Sequence, residues 1–96
     1  MLMLICYDIA TVTKKGKKRL RTIARACEDY GVRVQYSIFE CVLSDAEWVL
    51  LRDRLLDAFD ETTDSLRFYR LDQKAKRSVE HHGNRMPIDL EAPLII

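Results

Sequence analysis

Residues 31–43 read Gly31-Val32-Arg33-Val34-Gln35-Tyr36-Ser37-Ile38-Phe39-Glu40-Cys41-Val42-Leu43. Val32, Val34, Tyr36 and Ile38 alternate with Arg33, Gln35 and Ser37, which is the two-residue period of a strand. After Ile38 the phase flips, and Phe39, Cys41 and Leu43 become the apolar set. A one-residue slip sends every later side chain to the other face, so a bulge or tight turn is expected near Tyr36–Ile38. The stretch is two strands rather than one, and the fold follows from what flanks it.

Upstream, Leu2 to Ile9 is an apolar run broken only by Asp8. Its length and its lack of helical spacing suggest a buried strand. Thr13 can cap the helix that follows. Leu20, Ile23, Ala24, Cys27 and Tyr30 form one helical stripe, and Gly31 ends it. Downstream, Ser44-Asp45-Ala46-Glu47 has the spacing of a capping box. The second helix is expected to bury Trp48, Leu51, Leu55, Ala58 and Phe59. Asp60 to Asp64 reads as a polar loop, and Leu66 to Leu71 as a fourth strand. Lys74 to Arg85 is basic and poorly periodic, so a loop or short helix is expected.

The order β-α-β-β-α-β predicts an α+β fold, the ferredoxin-like sandwich with two helices on one face of a four-stranded antiparallel sheet. Ninety-six residues make a single domain, expected over 1–85 with a tail at 86–96. Little chain remains to cover the second sheet face, so a homodimer is the simplest cover. The apolar end, with Leu94 and Ile95, is expected to add a strand to the partner's sheet.

Net charge is +1, which taken alone argues against a general polycation. By segment the charge is sorted: +6 over residues 14–33, −6 over 40–64 and +4 over 65–85. A chain built this way can present a basic face and an acidic face. Between Lys14 and Arg25 seven basic residues (Lys14, Lys15, Lys17, Lys18, Arg19, Arg21, Arg25) occur without an acid. A charge run on a helix is commonly just a solvated face. The density here favours binding of a phosphate backbone, and Arg33 extends the patch.

Cys6, Cys27 and Cys41 are odd in number and lack metal or redox spacing. They read as small buried residues of a reducing compartment. The apolar start is short and soon followed by charge, so neither a leader nor a membrane span is expected, and a cytoplasmic setting is. No Gly-rich phosphate loop, nucleophile elbow or zinc pattern occurs. His81 and His82 are adjacent and point different ways in regular structure, a poor start for metal ligation.

Asp8 is the most informative residue. A carboxylate at the end of an apolar strand either caps the following turn and accepts backbone N–H bonds, or binds a hard cation. One carboxylate is a poor magnesium site. Near a dimer axis it would occur twice.

Tyr7-Asp8-Ile9, an Arg/Lys-rich helix and then Gln35-Tyr36-Ser37-Ile38-Phe39-Glu40 together resemble the second core protein of CRISPR spacer acquisition, the Cas-two family. Arg67-Phe68-Tyr69-Arg70-Leu71 fits its fourth strand, and Asn84-Arg85-Met86-Pro87-Ile88-Asp89 fits the tail of some members. The resemblance implies a ferredoxin-like homodimer that joins the CRISPR integrase and helps hold spacer DNA. It further implies a magnesium-dependent endonuclease acting on single-stranded RNA or double-stranded DNA. On that resemblance Asp8 is the metal and catalytic carboxylate, with one Mg²⁺ shared by the two Asp8 of a dimer. Tyr7 and Ser37 would be catalytic neighbours that position the phosphate, and Phe39 would support the site. The basic residues Lys14 to Arg25 and Arg33 would hold nucleic acid. Two other readings stand beside the nuclease: a non-catalytic dimeric adaptor that clamps DNA for the integrase, and a toxin-like RNase of the same fold.

Overall fold

In the computed structural model residues 1–71 and 79–83 are described. The expected tail at 86–96, with Leu94 and Ile95, lies outside the described residues, as does most of Lys74–Arg85. The elements are β1 (Leu2–Asp8), α1 (Lys14–Tyr30), β2 (Val32–Gln35), β3 (Ile38–Val42), α2 (Asp45–Ala58) and β4 (Ser65–Leu71). The strands form one antiparallel sheet in the order β2-β3-β1-β4, which is the ferredoxin-like arrangement.

The most apolar strand, β1, lies in the interior of the sheet, between β3 and β4. Its register pairs Ile5 with Phe39 on one side and Phe68 on the other, and pairs Cys6 with Ile38 and Arg67. Alternation then separates two faces. Met3, Ile5, Tyr7, Phe39 and Cys41 are buried, and form one core with Ile23, Ala26 and Cys27 of α1 and Leu51 and Leu55 of α2. Leu20, Ala24, Tyr30, Trp48, Ala58, Phe59, Leu66 and Phe68 pack against it. Trp48 meets Phe68 edge-on at 4.9 Å between ring centroids, the geometry aromatic quadrupoles favour.

Both helices start as their sequences predict. Thr13 Oγ1 accepts the Gly16 N–H at 3.0 Å. At α2 the Ser44 hydroxyl accepts the Glu47 N–H at 3.1 Å, and the Glu47 carboxylate accepts the Ser44 N–H at 2.9 Å. The reciprocal bonds hold the Glu47 carboxyl below its ordinary pKa. At the other end of α1 the Gly31 N–H donates to the Cys27 carbonyl at 2.9 Å.

The phase flip appears as a turn at Tyr36 and Ser37, together with a register shift between Arg33 and Gln35. Arg33 pairs with Phe39 on the helix-covered face, while Val32 pairs with Glu40 on the other. That other face carries Leu4, Cys6, Ile38, Val42, Tyr69 and Leu71, all half-buried or exposed. Cys27 and Cys41 are free and buried in the core. Burial pushes both thiols up to about 12, so they pack as small apolar groups rather than react as thiolates. No helix among the described residues is long and apolar enough to cross a membrane.

Candidate nucleic-acid interface and metal site

A cleft of about 810 Å³ opens between α1 and the ends of β1 and β2. Tyr7, Asp8 and Ile9 close one end, Arg33, Tyr36 and Ser37 form one wall, and Leu20, Arg21, Ala24, Arg25 and Glu28 of α1 form the other. The fold thus gathers Tyr7, Asp8, Ser37, Arg21, Arg25 and Arg33, which are scattered over 30 residues of sequence.

The Asp8 carboxylate is exposed, and no hydrogen bond or ion pair engages it among the described residues. A turn-capping aspartate would take the N–H two positions on, at Ala10. Asp64 takes that N–H instead, at 3.0 Å from its Oδ1. Asp8 is therefore left facing the cleft mouth with its charge unspent.

Asp64 explains how the β1–α1 loop is held. Its side chain is 0% exposed. It accepts from Arg19 Nε at 2.8 Å, from Arg19 Nη2 at 3.3 Å, from the Asp60 N–H at 2.9 Å and from the Thr63 hydroxyl at 3.2 Å. The Arg19 guanidinium, foremost among these, holds the Asp64 carboxyl well below the usual carboxylate range against the opposing effect of burial. Gly16 completes the clamp from α1. It is buried, and a Cβ there would collide with the Ala10 carbonyl oxygen, so only glycine lets the loop lie this close to the helix.

Tyr7 is buried, and its hydroxyl donates to the Tyr36 carbonyl at 3.1 Å. Its own N–H donates to the Ser37 carbonyl at 3.0 Å. Burial raises its phenol pKa, partly countered by Arg33. Its ring stacks on Phe39 with centroids 6.2 Å apart. Tyr7 thus ties the β2–β3 turn to β1, and Ser37 stands at the cleft wall. Arg33 lies over the Phe39 ring at 5.0 Å and reaches Glu28 at 3.3 Å across the cleft. The stacking keeps its charge at the site in a fixed place.

Lys14, Lys15, Lys17, Lys18, Arg21 and Arg25 are exposed along α1, as the basic run predicts. Arg19 departs from them and turns to Asp64. Its partner lies 45 residues away, which periodicity does not reveal. The one local hint is the Asp60-Glu61-Thr62-Thr63-Asp64 turn, where the Asp60 side chain accepts the Thr62 N–H at 3.0 Å and draws the chain back toward the start of α1. No group of three or more His, Cys, Asp or Glu side chains among the described residues is placed to hold a metal ion. Among the described residues, Asp8 is the cleft carboxylate without a protein partner, since Glu28 is paired with Arg33.

The family model of the CRISPR associated protein Cas2 matches residues 1–79. The chain is 48% identical over its whole length, and that of its relative, to "CRISPR-associated endoribonuclease Cas2 1" of Moorella thermoacetica. It is 50% identical to "CRISPR-associated endonuclease Cas2" of Halalkalibacterium halodurans, covering 99% of each chain. The crystal structure of Streptococcus pyogenes Cas2 at pH 6.5 superposes with a TM-score of 0.76 at 49% identity, over 86% of this chain and 100% of that one. The strand order agrees with these matches: the chain belongs to the Cas2 family of CRISPR-associated proteins.

Proposed function

We propose that this chain is a nucleic-acid-handling component of CRISPR spacer acquisition and a magnesium-dependent endonuclease, on DNA or RNA, whose chemistry is centred on Asp8. The observation that carries the proposal is the exposed, unengaged Asp8 carboxylate in a cleft walled by Arg21, Arg25 and Arg33. Two relatives at about half identity carry nuclease names, one an endoribonuclease and one an endonuclease.

Magnesium takes oxygen ligands and often uses one or two carboxylates plus waters. Asp8 suits that chemistry, but a single carboxylate is half a site. A second copy of the chain would bring a second Asp8 and would cover the apolar face formed by Leu4, Cys6, Ile38, Val42 and Leu71. When bound, the ion supplies positive charge at a phosphate oxygen and a more acidic water. The chain's own residues do the rest. Arg33, fixed on Phe39, and Arg21 and Arg25 hold the phosphate backbone. The Ser37 hydroxyl orients a phosphate oxygen by hydrogen bonding. Tyr7 acts through the turn it fixes, because its hydroxyl is already donated to Tyr36.

The exposed basic face of α1 favours a second role, a dimeric adaptor that clamps DNA for the integrase protein. In that role the phosphate contacts are essential and the cleavage is not.

Metal removal tests the proposal. Chelation with EDTA is expected to stop strand cleavage, and added Mg²⁺ to restore it, with one ion bound per two chains by calorimetric titration. Cleavage that persists in EDTA would overturn the magnesium assignment.

A further inference from the structure

We propose that Asp64 is a positioning residue for Asp8: by taking the Ala10 N–H, it keeps the Asp8 carboxylate free for the divalent ion. The inference rests on the reading that Asp8 carries the metal chemistry. Asp8 ends β1, and an aspartate in that place readily folds back on the N–H two residues on. That N–H belongs to Ala10, and a carboxylate that accepts it makes one of the stronger hydrogen bonds. A metal ion would have to displace that bond before it gained the ligand. Here Asp64 Oδ1 accepts the Ala10 N–H at 3.0 Å, and Asp8 makes no bond among the described residues.

The sheet register explains how so distant a residue reaches this point. β4 runs antiparallel to β1 with Ser65 opposite Asp8, so Asp64 stands beside the chain where it leaves β1. The second carboxylate oxygen accepts from Arg19 Nε at 2.8 Å and from the Asp60 N–H at 2.9 Å, which fixes the side chain. From the opposite side Gly16 of α1 lies so near the Ala10 carbonyl oxygen that a Cβ would collide with it. Ala10 is thus held from both sides without Asp8. Groups behind a metal ligand commonly set its affinity by one or two orders of magnitude. Asp64 acts in this way by satisfying the donor that competes for Asp8, not by touching Asp8 or the ion.

The test uses the full-length protein, with Mg²⁺ affinity measured by calorimetric titration well below the melting temperature. Asp64→Ala is expected to weaken Mg²⁺ binding about tenfold. Asp64→Asn keeps an oxygen for the Ala10 N–H and loses the ion pair to Arg19. It should lose stability yet bind Mg²⁺ nearly as the parent does. The Ala10 amide gives a readout that needs neither metal nor activity, followed by proton–nitrogen correlation NMR. Asp8→Ala should move its signal little in the parent and strongly in the Asp64→Ala background, where Asp8 has become the acceptor. Unchanged Mg²⁺ affinity in Asp64→Ala would overturn the proposal. So would Asp64→Asn binding as weakly as Asp64→Ala, which would assign the loss to stability alone. An Ala10 signal equally indifferent to Asp8→Ala in both backgrounds would overturn it too. If the parent binds no Mg²⁺, the metal reading of Asp8 fails, and the Ala10 signal still decides whether Asp64 keeps Asp8 free.

Discussion

Asp64→Ala is expected to destabilise the fold by about 3 kcal/mol. The substitution leaves Arg19 without its carboxylate and leaves the Ala10 and Asp60 N–H groups, now bonded at 3.0 and 2.9 Å, without acceptors. In a domain of this size each kcal/mol moves Tm by roughly 4–8 °C, so a fall of more than about 10 °C is expected by thermal unfolding. A change of under about 2 °C would show that the Asp64 clamp is not what holds the β1–α1 loop. The same residue sets an acid limit. Its carboxyl pKa is depressed in the folded protein by Arg19, so its contribution is complete above about pH 4 and drains away as pH falls further. The Tm of the parent should therefore drop on going below about pH 4. In Asp64→Asn that component of the drop should be missing from a baseline that is already lower.

The second large effect concerns binding. Changing Lys14, Lys18, Arg21 and Arg25 together to Gln should weaken duplex binding by about three orders of magnitude at roughly 0.1 M salt. Each neutralised phosphate contact also removes about 0.9 from the slope of log affinity against log salt. The slope is thus expected to flatten by about 3–4 on fluorescence anisotropy titrations across a salt series. These four side chains are exposed on α1, so the variant should melt near the parent temperature. Arg19 is the control. Because its guanidinium serves Asp64, Arg19→Gln should lower Tm and leave the salt slope nearly unchanged. A parent protein with a flat salt response would remove the basic face from any role in nucleic-acid binding.

Much of the architecture was legible along the chain. The capping box at Ser44–Glu47, the Thr13 cap and the phase flip after Ile38 are local signals, and each appears where its residues stand. Asp8 was legible as an anomaly, a charge ending an apolar strand. Whether it was spent on a turn was not legible, since the answer lay in Asp64, 54 residues from the Ala10 N–H it captures. Arg33 shows the same limit. Alternation sets it apart from Val32 and Val34, but only the register against β3 places it on the Phe39 ring, and places Val32 on the face away from the helices. Tyr36 falls in phase with the apolar set of β2, yet the turn carries it into solvent. Local periodicity records which side chains share a face; it does not record which face the helices cover or which distant carboxylate a loop will find.

The most direct measurement is the cleavage rate of an end-labelled single-stranded RNA in Mg²⁺ by the parent and by Asp8→Asn. Asp8 is exposed and makes no bond among the described residues, so the variant should melt and bind the strand as the parent does. Its cleavage rate should fall at least about 100-fold, the scale of losing a metal ligand that stabilises charge in the transition state. An Asp8→Asn protein that cleaves at the parent rate would contradict the assignment of the chemistry to Asp8, and would leave the chain as a binding adaptor.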